Sequence, residues 1–233
     1  MNDVIKKLQN KLIVSCQAYE DSPLYGVDYM RQMALCAEKG GASGIRACWA
    51  DNVREIRKVT KLPIIGINKV IHDGFNPVLD VCITPSFEAA AEIIEAGADI
   101  IALDGTPRGR SFDDVNRIIE KIRKYYPQVL VMADISTTEE GIQAEAMGVD
   151  IVSTTLAGYT EYSRTHYVSD APDYNIVREL KATIKKPVNA EGRIWEVGQF
   201  KKIWDAGADM VTIGTAITRP ELITARFVQA IPK

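Results

Sequence analysis

Four segments of this chain share one design: a helical stretch ends at a glycine, and about two residues later an apolar, β-branched run begins. They read KGGASGIRA from Lys39, AGADIIALD from Ala96, MGVDIVSTT from Met147 and AGADMVTIG from Ala206. Glycine supplies the left-handed stop of a helix, and a short turn then leads into a buried strand. The segments recur roughly every 50 to 60 residues, which is about two strand–helix units per period and hence an internal repeat. Between them lie three further strand candidates, each near a proline that closes the preceding helix: Pro63-Ile-Ile-Gly-Ile, Pro127-Gln-Val-Leu-Val-Met-Ala and Pro187-Val-Asn-Ala. The first run, Leu12-Ile-Val-Ser-Cys, makes eight.

Helical patterns separate these runs, over 28–39, 52–60, 87–96, 112–126, 138–147, 174–184, 195–206 and 220–230. Capping boxes are expected at Ser111 with Asp114, Thr137 with Glu140 and Thr218 with Glu221. Eight rounds of strand then helix in 233 residues predict an α/β fold, a single (β/α)8 TIM barrel spanning 1–233, rather than an open doubly wound sheet. The segments His72 to Ser86 and Leu156 to Asp173 exceed ordinary loop lengths and are candidate lids.

Composition narrows the function. Apolar types at 46% and charged types at 25% suit a packed globular chain, and a net charge of −3 gives no overall field to draw it onto nucleic acid or an anionic membrane. No apolar run approaches the ~20 residues of a spanning helix, and Met1 to Lys11 is charged where a signal peptide would be apolar, so a cytoplasmic protein is expected. Cys16, Cys36, Cys48 and Cys82 form no C-x-x-C pair and are expected to be buried reduced thiols. With only His72 and His166, far apart in sequence, a histidine-based triad or metal site is disfavoured, and no metal is expected. No G-x-G-x-x-G follows a strand and no P-loop is present, which argues against a nucleotide site.

In such a barrel the chemistry lies at the carboxyl ends of the strands. Those ends read Gln17, Arg46, Lys69, Asp104, Asp134, Thr154-Thr155, Glu191 and Gly214-Thr215, a polar ring where branched apolar residues would otherwise pack. A rim salt bridge of Arg46 with Asp134 or Asp104 is the bland alternative for any one pair. Lys69 follows Ile64-Ile-Gly-Ile-Asn, and low-dielectric walls with Arg46 nearby are expected to lower its pKa toward that of a base. Gly192 and Gly214-Thr215, with Arg193 and Arg219 close by, suit an anion such as a phosphate. Glu120 to Lys124 reads as a solvated helix face, and Trp195, Trp204 and Phe227 as helix residues packed on the barrel.

LIVSCQA, GIRA, IIGINK, ALD, MADIST, STTLAGYT, NAEGRI and VTIGTAITRP occur in this order over nearly the whole chain. Together they resemble the bacterial N-acetylmannosamine-6-phosphate 2-epimerase family. The resemblance implies a ribulose-phosphate-binding type of TIM barrel that acts in sialic acid catabolism. Such an enzyme converts N-acetylmannosamine 6-phosphate to N-acetylglucosamine 6-phosphate without a nucleotide cofactor. It further implies Lys69 as acid/base catalyst with Glu191 as carboxylate partner, Gln17, Arg46 and Asp134 on the sugar, and Gly192, Gly214, Thr215 and Arg219 on the phosphate. Two residues depart from the expected pattern: Asn68 stands before the lysine in place of an apolar residue, and Arg193 follows E-G in place of a small or amide residue. A homo-oligomer is compatible with all of this.

Inversion at C2 of a 2-acetamido aldose requires loss of a proton that is acidic only beside a carbonyl, so the ring must open first. Two other readings share the barrel. A buried lysine with a phosphate site also suits a Schiff-base aldolase or lyase. A non-catalytic phosphosugar-binding barrel would have to retain a costly ring of buried charge.

Overall fold

A computed structural model describes residues 2–164 and 171–232. The elements run α1 (Asp3–Leu8), β1 (Leu12–Cys16), α2 (Val27–Lys39), β2 (Gly44–Cys48), α3 (Ala50–Val59), β3 (Ile64–Ile67), α4 (Phe87–Glu95), β4 (Ile100–Asp104), α5 (Phe112–Tyr125) and β5 (Leu130–Asp134). They continue with α6 (Thr138–Ala146), β6 (Ile151–Ser153), α7 (Glu161–Arg164), α8 (Tyr174–Thr183), β7 (Val188–Glu191), α9 (Val197–Asp205), β8 (Met210–Ile213), α10 (Thr215–Thr218) and α11 (Pro220–Gln229). The eight strands pair in parallel in sequence order and close through Leu12 opposite Val211, giving the expected (β/α)8 barrel.

Strand alternation sorts the side chains into two cores. Ile13, Ile65, Ile67, Ile100, Met132 and Ile151 fill the barrel interior, and Ile5 and Leu8 of α1 plug the end where the strands begin. The opposite faces meet the helices, as Val115, Ile118, Ile119 and Ile122 of α5 do at the i, i+3, i+4, i+7 spacing of one helical face. Burying one such side chain contributes about 1.5–3 kcal/mol. In contrast, α11 buries none of its residues, and Phe227 is 74% exposed, so its expected packing against the barrel is not formed.

The glycine-stop repeat has a structural cause beyond the turn. In three of its four copies the aspartate two residues after the glycine accepts from an amide at the first or second position of a neighbouring strand and from a helix cation. Asp99 takes Ile64 N at 2.8 Å and Arg57, Asp150 takes Val131 N at 2.8 Å and Arg123, and Asp209 takes Val188 N at 2.7 Å and Lys181. Each carboxylate thus ties a strand start to the helix layer. Ser43 stands at this place in the fourth copy.

Two capping boxes form as expected, at Ser111/Asp114 and Thr137/Glu140. The third does not. Thr218 closes α10 and donates to Ser15 O and Gly214 O, while Glu221 is taken up by Ser22 and Arg219. A cap at Glu196/Gln199 starts α9 at Val197, which leaves Trp195 in the preceding loop. Among the cysteines, Cys16 and Cys48 are buried, Cys82 is partly so and Cys36 is exposed, against expectation, because it lies on the outward side of α2. His166 and part of the second lid candidate lie outside the described residues, among which no helix is long and apolar enough to cross a membrane.

Candidate active site

A period of two runs through the strands, and on several of them the interior set begins as aliphatic and ends as polar at the carboxyl end. On β5 it reads Leu130, Met132, Asp134, and on β4 Ile100, Ala102, Asp104. Beyond β3 the same parity continues from Ile65 and Ile67 to Lys69. Arg46 is the middle residue of β2 and not its end, so its guanidinium lies deep in the barrel, 1% exposed. There its two terminal nitrogens donate to Asp134, at 3.1 and 2.5 Å, and one of them meets Glu191 Oε2 at 3.0 Å. Asp104, the other partner expected for Arg46, instead pairs with Arg108 at 2.5 Å.

Around this ion group β5 to β8 carry a directed chain of hydrogen bonds. Thr212 donates to Asn189 Oδ1 at 2.9 Å, Asn189 to Ser153 at 2.7 Å, and Ser153 and Thr155 lie 2.8 Å apart. Thr155 in turn reaches Asp134 at 2.7 Å and Glu191 at 3.3 Å. Buried polar groups are tolerated when satisfied in this way. Burial pushes the Glu191 carboxyl above its ordinary range, Arg46 opposes this, and Asp134 adds to it.

Above this floor opens a cleft of about 790 Å³. Gln17, Lys69, Glu191, Gly192, Gly214, Thr215 and Arg219 all line it, so seven of the nine expected site residues share one cavity. Arg46 and Asp134 lie beneath it and reach it through Glu191. Gly192 adopts φ +112°, closed to most side chains, and a Cβ on Gly214 would sit 3.3 Å from that of Ser15. Arg219 is held by Glu221, with Asp21 3.8 Å away.

Lys69 departs from expectation. Burial alone would lower its pKa, but the hydrogen bond to the Tyr19 hydroxyl opposes this, and the net direction is above the ordinary lysine value. Arg46 does not depress it, since that guanidinium is neutralised by two carboxylates. The resting amine is therefore an ammonium. Asn68 faces the other way, donating to Ala89 O and Glu92 between barrel and α4, so this departure from the family pattern leaves the cleft untouched. Arg193 lines the cleft, donates to Ala157 O at 2.8 Å and stacks 4.5 Å from the Tyr159 ring centre. Trp195 also lines the cleft, whereas Trp204 packs against the outer core as expected. No group of three or more His, Cys, Asp or Glu that could hold a metal ion occurs among the described residues.

Sequence reasoning missed Tyr19, Asn189 and Ser153. Asn189 and Ser153 carry the interior parity of β7 and β6, and Tyr19 continues the parity of Ile13, Ser15 and Gln17 beyond β1, a signal that was present; the contact of Tyr19 with Lys69 is not given by that parity.

Residues 30–233 match the family model described as "Putative N-acetylmannosamine-6-phosphate epimerase". The chain belongs to this epimerase family. A relative from Caldanaerobacter subterraneus subsp. tengcongensis, named "Putative N-acetylmannosamine-6-phosphate 2-epimerase", is 46% identical over 98% of this chain and 94% of its own. One of the same name from Shouchella clausii is 43% identical over 99% of this chain and 100% of its own. The solved structure of the N-acetylmannosamine-6-phosphate 2-epimerase from Clostridium perfringens superposes with a TM-score of 0.90 at 41% identity, covering 99% of this chain and 97% of that one. Family membership thus extends over the barrel and over every strand that contributes to the cleft.

Proposed function

We propose that this chain interconverts N-acetylmannosamine 6-phosphate and N-acetylglucosamine 6-phosphate, in sialic acid catabolism, by moving the C2 proton of the open-chain sugar. Read in the reverse direction it is an N-acylglucosamine-6-phosphate 2-epimerase. The observation that carries this reading is that Lys69 and Glu191, from strands on opposite sides of an eight-stranded barrel, face one cleft.

Their protonation states suit the sequence of steps. Ring opening needs a base for the O1 hydroxyl and an acid for the ring oxygen. Glu191 carboxylate takes the O1 proton, the Lys69 ammonium gives one to O5, the C1–O5 bond breaks and the aldehyde forms. Lys69 is then a neutral amine. It takes the C2 proton, and the C–H electron pair moves through C1–C2 onto the carbonyl oxygen. Glu191, now protonated, returns its proton to C2 from the opposite face, which restores the aldehyde with C2 inverted and both side chains as they began. Gln17, a cleft-lining donor, stabilises the oxyanion, while Arg46 and Asp134 orient Glu191. Gly192, Gly214, Thr215 and Arg219, on the adjacent loops after β7 and β8, are assigned to the phosphate, which displaces Glu221 from Arg219.

The test is turnover in deuterated water followed by NMR of C2. The epimerised product is expected to carry deuterium there, without added nucleotide. Product that retains the original hydrogen at C2 excludes this route.

A further inference from the structure

Lys69 has little freedom in this site. Its backbone is pinned by the bridge to Ile83 and by Trp49, whose Nε1 donates to Lys69 O at 3.0 Å. Its amine donates to the hydroxyl of Tyr19, fifty residues away on the loop after β1. Tyr19 is itself held: its ring meets the Trp49 ring edge-to-face at 5.9 Å. One indole therefore fixes both the main chain of the lysine and the ring whose hydroxyl fixes the amine. Tyr19 lines the cleft, with the Lys69 amine 5.0 Å from its ring centre and the Arg219 guanidinium at 6.0 Å.

We propose that Tyr19 is the positioning residue of Lys69, presenting the amine to the cleft at a fixed point between the reacting end of the site and the arginine end. The proposal rests on Lys69 being the acid/base group. A lysine has four rotatable side-chain bonds, and a misplacement of about 1 Å is enough to lower a rate by about a hundredfold. The phenol restrains that freedom, and as an acceptor it favours the charged amine. The other groups that act on Lys69 are the thiols of Cys48 on β2 and Cys82 on the long loop after β3, and Glu191 on β7. Burial pushes the Cys48 thiol to about 11, so it is neutral near pH 7 and does not hold the ammonium.

The experiment compares wild type with Tyr19→Phe, which keeps the ring and its Trp49 contact and removes only the acceptor. Epimerisation kcat is expected to fall about 10- to 100-fold with KM changed less than about threefold, since the phenol acts on the lysine. In parallel, the Nζ resonance of Lys69, assigned by its loss in Lys69→Met, is titrated in both proteins. Its midpoint is expected at lower pH in Tyr19→Phe, because the acceptor is gone and burial remains. An unchanged kcat together with an unchanged midpoint makes Tyr19 only a wall of the cleft and overturns the proposal. Retained turnover in Lys69→Met refutes the catalytic reading of the lysine separately, while the titration still decides whether Tyr19 holds it.

Discussion

Lys69 and Glu191 differ in what surrounds them, and so in what their removal does. Lys69 ends in a cleft and donates to one phenol, so Lys69→Ala leaves no buried charge unpaired. Its expected outcome is a folded protein with kcat lowered about 10²- to 10⁴-fold. Glu191→Gln keeps the shape but removes the base for ring opening, so supplying open-chain substrate should not restore turnover if the same carboxyl also reprotonates C2. Rescue by that substrate would confine Glu191 to ring opening. The raised pKa of Glu191 gives a signed pH effect. The free enzyme needs the carboxylate, whose pKa lies above the 4.5 of an ordinary glutamate, so kcat/KM should decline with falling pH at a midpoint above 4.5. A midpoint at or below 4.5 would contradict the burial argument. At this scale the sequence was uneven: charged strand ends stood out against aliphatic runs, while Tyr19 meets Lys69 only through the fold.

The strands and most of the long helices were legible because one period runs along them, but α11 buries none of its residues, so its pattern did not foretell packing. The short elements were not. α1 buries only Ile5 and Leu8, and α10 spans four residues, too few for a pattern to accumulate. The Thr218 box failed for a similar reason, as α10 uses that hydroxyl to tie itself to β1. The repeat's aspartates separate stability from chemistry, because they sit where strands begin and the cleft lies where strands end. Asp150→Ala removes the acceptor of Val131 N and the partner of Arg123. It should lower unfolding stability in urea by about 1–3 kcal/mol while kcat and KM stay unchanged. A kinetic defect in the folded variant would show that the two ends of the barrel are coupled.

For the molecule as a whole, the decisive feature is that the floor of the cleft is also a layer of the barrel interior. Arg46→Ala strands two carboxylates in that layer, and an expected loss of about 3–5 kcal/mol, measured by denaturant unfolding, distinguishes it from Lys69→Ala, which should lose almost none. The same overlap has a practical side. Because Arg46 is anchored on β2, Asp134 on β5 and Glu191 on β7, no one segment can peel away and take the carboxylate with it. On slow heating, activity measured at the bath temperature should therefore persist until the circular dichroism signal itself collapses, the two curves sharing one midpoint. Turnover then serves as a gauge of whether the barrel is still closed.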